Sequence, residues 1–435
     1  MLLAPTLLLN AGSGAAIARP TFSRDFAGEK TLNNGTGPAI TFTRASNATF
    51  FDANGTLQTA ANDTPRFDHD PATGASRGLL IEEARTNSIR NSQAGGSTNG
   101  VIGSGGALPT NWGVGTAVTS NGVSTEIIGT GTEVGLAYLD LKISGTPTAS
   151  GTSGLRFDTI SQVVAANGQS WTSSMHLKVV AGTTSNITLQ HNLSGRDAAG
   201  GVIAGQVSTA AISPTGSALS TQRVSLSRTM SDATVERVLV LLNLSVFNGD
   251  PIDLTLRIAA PQLEQGAFAT SYIPTTTAAA TRAADSAVVT PISSFYNQSE
   301  GTLFAEGVTT STEGNASLAS FAAASNSNQR FQLRIRGGAL AVVAGGVTSI
   351  ASATSDPASG AITRRIGAAA TDNFAACING GSVETDSSGG MPSVAQLNLG
   401  ILIPENTTQR LNGHIRRIAY YPRRLSNTLL QQLTT

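Results

Sequence analysis

The side chains on which chemistry could rest are few: four histidines, one cysteine, two tryptophans and a scatter of carboxylates in 435 residues. His69, His176, His191 and His414 lie far apart in the chain. None stands beside a serine or aspartate in a recognisable nucleophile context, so a triad would have to assemble in space. No nucleophile elbow, phosphate-binding loop, dinucleotide fingerprint or zinc-binding helix motif occurs. Asp68, His69 and Asp70 are metal-ligand types in one tripeptide, but Asp70-Pro71 opens a turn, and a turn is the expected role. Asp52 and Asn54 are spaced like the start of a calcium loop whose remaining ligands are missing; Asn54-Gly55 is a hairpin-turn signal instead. Glu82 and Glu83 are adjacent, so on a strand they point to opposite faces and do not pair for acid/base work. Cys377 has no second cysteine, which excludes an intrachain disulfide and a cysteine-based zinc cluster. Its expected place is a buried apolar site. Trp112, in the loop Pro-Thr-Asn-Trp-Gly, is the one candidate for an exposed ring that stacks on a ligand, with a packed loop anchor as the alternative. The reading is therefore no catalytic residue, no metal and no cofactor.

The elements around these residues read as all-β. Charged residues make up 12% of the chain, about half the usual ~25%, and Gly, Ser, Thr, Ala and Asn fill the gap. That composition suits many short strands joined by tight turns. Basic and acidic residues balance at 27 each, so nothing points to nucleic acid or an anionic membrane. No run reaches the ~20 apolar residues of a membrane span. The N-terminal run through Ala16-Ile17-Ala18 has signal-peptide character, but it lacks a basic start and Pro5 interrupts it, so no cleavage is expected.

Periodicity then divides the chain. Residues 1–35 read as an irregular arm with too few apolar positions to bury a core. Residues 36–92 contain two strand-like runs around Asn54-Gly55. Residues 93–275 read as one sandwich. Trp171, Met175, Leu177 and Val179 share one face and put Trp171 in the core, with His176 and Lys178 on the solvated face. Ile187 and Leu189 alternate with polar residues, and His191 continues their parity. Val238 to Leu244 is a nearly continuous apolar run, as in a covered strand. Leu254, Leu256 and Ile258 close the sheet, and Pro261 and Gly266 are expected to end the ladder. Residues 276–287, rich in Thr and Ala, read as a linker that permits separate movement. Residues 288–435 form a second sandwich, with Phe331, Leu333 and Ile335 on one face. Near its end Ile415 and Ile418 can both face the core only across a bulge at Arg416-Arg417. Alternation exposes at most one of Tyr420 and Tyr421. Ser426 is a helix N-cap, with Leu425 and Leu430 at staple positions.

Three stretches carry a resemblance. The run PQLEQGAFATSYIPT resembles the closing strand of carbohydrate-binding-module-like jelly rolls in tailed-phage virion proteins. TFTRASNATFFDANG with RFDHDPATGASRGLLIEEARTN resembles a module near the N-terminal side of phage tail-fibre and head-fibre proteins. RLNGHIRRIAYYPRRLSNTLLQQLTT resembles the last strand and closing helix of concanavalin-like or laminin-G-like domains, in which Glu commonly stands at the position of Leu429. The resemblance covers most of the chain and identifies architecture better than any ligand. It implies a virion subunit, a homotrimeric fibre or spike. Its N-terminal arm and hairpin module would bind other virion proteins, and its two lectin-like sandwiches would bind host cell-surface polysaccharide, with no enzymatic activity. A polysaccharide depolymerase and a purely structural connector are the alternatives.

Overall fold

The computed structural model describes residues 19–114, 122–311, 314–338, 340–345, 347–351, 356–404 and 409–435. The signal-like run and most of the expected arm, residues 1–18, lie outside the described residues. The protein is all-β, with two short α-helices, Phe26–Glu29 and Asn427–Thr434, among the described residues.

The strand Ile252–Gln265 is central rather than closing. It lies between Ser170–Gly182 and Leu136–Gly145 in a seven-stranded sheet. A five-stranded sheet built around Arg237–Val246 faces it. Ile127, Leu139, Trp171 and Met175 from one sheet share a buried core with Leu189, Leu193, Leu242 and Leu244 from the other. Pro261 does not end the ladder. Ser174 pairs with Gln262 and His176 with Ala259, so Ala260 and Pro261 together oppose one residue. This bulge admits a proline, which has no N–H to donate, into the middle of a sheet.

The second sandwich pairs an eight-stranded with a seven-stranded sheet among the described residues, and it recruits both ends of the chain. Phe22–Asp25 pairs with Gly413–Tyr421, in register Phe22 to Tyr420. Ser76–Ile81 pairs with the start of the same strand, and Phe67–His69 with Ser76–Ile81. Thr41–Thr43 borders Ser286–Val289 in the opposite sheet. Residues 19–35 are therefore no irregular arm, and residues 36–92 are no module apart. Phe22 and Phe26 are fully buried in the second core beside Phe295, Phe321 and Tyr420. A four-residue strand has too short a pattern to reveal a partner almost 400 residues away.

The expected linker is also built in. Ala280–Arg282 pairs with Arg85–Asn87. The Asn87 side chain donates to the Ile273 carbonyl at 2.9 Å and accepts from the Leu263 amide at 3.1 Å. Thr275 Oγ1 donates to the Ile89 carbonyl at 2.6 Å. The stretch is held by Arg282 and Asp285, which are buried, while Thr276, Thr277, Ala278 and Ala279 stay exposed.

Candidate functional site

An open groove of about 430 Å³ lies on the outer face of the second sandwich. Its base comes from three neighbouring strands, Thr363–Ala370, Glu300–Thr309 and Gly413–Tyr421. Glu306 pairs in register with both Arg364 and Arg417. Gly307 then pairs with Ile415, which leaves Arg416 as the extra residue of the bulge expected from sequence. In a regular strand adjacent side chains point to opposite faces. The bulge cancels that alternation, so Arg416 and Arg417 reach the same carboxylate. Arg416 Nε donates to Glu306 Oε1 at 2.7 Å, Arg417 Nη2 to Oε2 at 2.5 Å and Arg364 Nε to Oε2 at 3.0 Å.

Exposure separates the partners. The Glu306 side chain is 4% exposed, whereas those of Arg364, Arg416 and Arg417 are 40%, 24% and 31% exposed. Burial by itself would raise the Glu306 carboxyl; hydrogen bonds from Arg417 and Arg416 and the charge of Arg417 outweigh it and hold the group below its ordinary value. The carboxylate is thus a buried pedestal under three outward-facing cations. Arg416 Nη1 also donates to the Ser76 carbonyl at 2.6 Å, which ties the start of the strand Ser76–Ile81 to the opposite wall. Gly78 makes this closeness possible. Its φ is +94°, and a Cβ there would meet the Ile415 carbonyl oxygen at 2.3 Å.

A second charged cluster occupies the joint between the sandwiches. Arg66 Nη2 reaches Asp285 at 2.6 Å, and Arg44 Nη1 reaches it at 3.1 Å. Arg66 Nη1 contacts Glu82 at 2.8 Å, and Arg282 Nη1 contacts it at 3.1 Å. All five side chains are at most 7% exposed. The Glu82 backbone N–H donates to Asp285, and the Ser271 N–H and hydroxyl donate to the Glu82 carboxylate. Burial would push Glu82 up, but Arg282 and Arg66 together hold it far below the ordinary carboxylate range. Buried pairs of this kind are satisfied only when the remaining lone pairs also find donors, as they do here.

Next to the cluster is a cleft of about 130 Å³ where the N-terminal hairpin and both sandwiches meet. Asp68 lies on its wall, accepting the Phe51 amide at 2.7 Å and pairing with His414 Nε2 at 2.8 Å. His176 is on the same wall and is buried, not solvated. The reason is packing between modules: its ring meets the edge of Phe51, and Nδ1 lies 3.0 Å from the Leu219 carbonyl. Burial, helped by Arg223, lowers it to about 3.

The other residues singled out from sequence are structural. Trp112 is 8% exposed, edge-on to Phe157 with ring centres 4.9 Å apart, and its Nε1 donates to the Asn91 carbonyl. It is a loop anchor, not a stacking platform, because the loop folds back onto the first core. His191 Nε2 lies 2.6 Å from Ser173 Oγ, and both residues are buried between the sheets. Burial lowers His191 to about 4, and no carboxylate orients its Nδ1 among the described residues. Asp70 caps a turn through the Ala72 and Thr73 amides, and Asp52 does the same at the Asn54-Gly55 turn. Glu83 pairs with Arg85, so the adjacent glutamates serve different ion pairs. Tyr420, Tyr421 and Cys377 are all buried. Among the described residues no group of three or more metal-ligating side chains comes together.

The residues sequence reasoning missed are Glu306 and Arg364. The bulge at Arg416-Arg417 was legible, but its consequence depends on which residue the neighbouring strand sets opposite. Two adjacent arginines at an expected bulge were the available signal.

No protein-family model matches the sequence, and no curated protein matches it. Among solved structures, the chain is similar to the Ruminococcus gnavus IT-sialidase CBM40 bound to alpha2,3 sialyllactose, at 19% identity and a TM-score of 0.29, over 32% of this chain and 84% of that one. It is similar to the tripod from the baseplate of bacteriophage Tuc2009 at 10% identity and a TM-score of 0.27, over 85% of this chain and all of that one. Domains LG4-5 of the mouse laminin alpha1 chain align at 11% identity and a TM-score of 0.21, over 63% of this chain and 89% of that one. At these scores the likenesses carry no inference about what this chain binds.

Proposed function

We propose that the chain is a structural subunit of a phage virion, a fibre or spike, whose lectin-like sandwiches bind glycans on the host surface. The observation that carries this reading is the open arginine-lined groove on a β-sandwich whose orientation is fixed by a buried ion cluster. A shallow polar groove suits recognition by contacts that are individually weak and raised by avidity over many copies. The three sequence resemblances support the virion setting. The subunit attaches to other virion proteins through its N-terminal segment and assembles as a homotrimer, in keeping with a low-charge surface of small polar residues suited to packing against copies of itself.

The test uses the full chain, because residues 22–81 supply strands to the second sandwich. Retention on immobilised capsular polysaccharide or lipopolysaccharide extracted from bacterial cells is expected, with the polysaccharide left at its original length. Shortening of the polysaccharide would replace this reading by a depolymerase, and no retention on any bacterial surface glycan would leave a connector. Mass measurement at micromolar concentration is expected to give three chains per particle.

A further inference from the structure

We propose that the groove over Glu306 is a site for an acidic saccharide, one whose carboxylate or phosphate group is held by Arg364, Arg416 and Arg417. The proposal deepens the glycan-recognition reading and rests on it.

Three features of the groove lead to this chemistry. First, charge: three arginines face two carboxylates, Glu306 and Asp25, which leaves one positive charge in excess at the wall. The Asp25 carboxylate is already engaged by the Gly28 amide at 2.8 Å. Second, free donors: Glu306 takes one N–H from each arginine, Arg364 Nη1 goes to the Thr435 main-chain oxygen at 2.8 Å and Arg416 Nη1 to the Ser76 carbonyl, and Arg417 makes no other side-chain hydrogen bond among the described residues, so its fork supplies most of the open donors. A guanidinium has five donors in a planar fork that matches the two oxygens of a carboxylate or phosphate. Third, the absence of an apolar platform: no aromatic ring lines the groove among the described residues, so a neutral sugar has nothing to stack on, while an anion has oriented, partly desolvated donors. The volume of about 430 Å³ falls in the roughly 300–1,000 Å³ range of small-ligand clefts.

The buried joint supplies the contrast. There the terminal nitrogens of the arginines meet protein acceptors and the guanidiniums are sealed from water. In the groove a single buried glutamate sets three cations side by side against their mutual repulsion, an arrangement whose electrostatics improve when an anion arrives.

The experiment titrates the full chain with tetragalacturonate, with its fully methyl-esterified form, and with a tetramer of glycerol phosphate. The acid or the phosphate oligomer is expected to bind at least about tenfold more tightly than the ester, the scale of one hydrogen-bonded charge pair. Which of the two binds better identifies the anion. The preference should fall as salt rises, since the site is open to screening, and it should be lost in Arg364→Gln and Arg417→Gln. The proposal is overturned if neither the acid nor the phosphate oligomer binds more tightly than the ester, or if the preference survives in both variants at native melting temperature. If a variant fails to fold, the comparison of acid, phosphate oligomer and ester on the native chain still decides. Retention on extracted polysaccharide without binding of any anionic oligomer removes the groove proposal and leaves glycan recognition standing. Loss of both removes both.

Discussion

The joint and the groove are built from the same chemistry, carboxylates ringed by arginines, and they have opposite relations to solvent. At the joint, Arg44, Arg66, Glu82, Arg282 and Asp285 are nearly inaccessible and interlocked. At the groove only the carboxylate is buried. The difference shows what decides between a structural and a binding role. Residue type does not decide it, and neither does the depression of the carboxylate, which Glu82 and Glu306 share. What separates them is whether the guanidiniums are sealed from water, as at the joint, or part-exposed, as at the groove.

The largest expected effect is at the joint. Asp285→Ala leaves the Arg44 and Arg66 guanidiniums buried without their shared anion, and breaking a buried pair in this way costs about 3–5 kcal/mol. Denaturant unfolding of the full chain should show the loss. A cost under about 1 kcal/mol would mean the joint is wet and the two charged regions are alike.

Trp112→Ala tests the other buried anchor. Removing a ring packed on Phe157 should cost about 3 kcal/mol from the cavity left behind. Retention on polysaccharide per folded molecule should be unchanged; reduced retention at native stability would restore Trp112 as a ligand contact.

Acid sensitivity is expected to arise first in the first sandwich. His191 and His176 are lowered by burial to about 4 and about 3, so the unfolded chain takes up their protons first. Their contribution is complete above about pH 6.5, the unfolded histidine value, and declines by up to roughly 1.4 kcal/mol per pH unit per histidine as pH falls toward the folded values. His191→Gln should flatten the stability profile between pH 6.5 and 4. The Glu306 carboxyl is held below its ordinary value, so its charge should persist to lower pH than that of an unperturbed glutamate. An unchanged profile in the variant would show that His191 is not held neutral by its surroundings.

The smallest effect is expected at the groove itself. Glu306→Gln removes the pedestal charge, but the arginines it faces are part-exposed, and screened pairs contribute on the order of 1 kcal/mol or less. A loss as large as that of Asp285→Ala would erase the distinction between the two regions.

The parts of this architecture legible in sequence were those governed by local pattern. The Trp171 face, the alternation at Phe331, Leu333 and Ile335, the Asn54-Gly55 turn and the bulge at Arg416 all follow from spacing of two or from one break in it. The C-terminal helix begins where Ser426 caps it, accepting from the Leu429 amide at 3.4 Å, with Leu425 and Leu430 buried on either side. Long-range partnership was not legible. Phe22–Asp25 is too short to announce a strand, and Arg282 and Asp285 lie in a stretch of Thr and Ala that reads as linker because their partners Glu82, Arg66 and Arg44 lie about 200 residues away or more. His176 fell on the polar face of its strand, and no local signal says that a neighbouring module covers that face. The groove was half legible, since the bulge was expected while Glu306 and Arg364 enter only through register.

The contrast between joint and groove is tested most directly by measuring stability and binding together on Asp285→Asn and Arg417→Gln, using the full chain and the anionic oligomer it binds. A double separation is expected. Asp285→Asn lowers the melting temperature by several degrees and leaves affinity per folded molecule at the native value. Arg417→Gln leaves the melting temperature within about a degree or two, as expected of a part-exposed pair, and weakens binding about tenfold or more. The contradictory result is the reverse pattern: affinity lost with Asp285→Asn at native stability, or Arg417→Gln binding as tightly as the native chain.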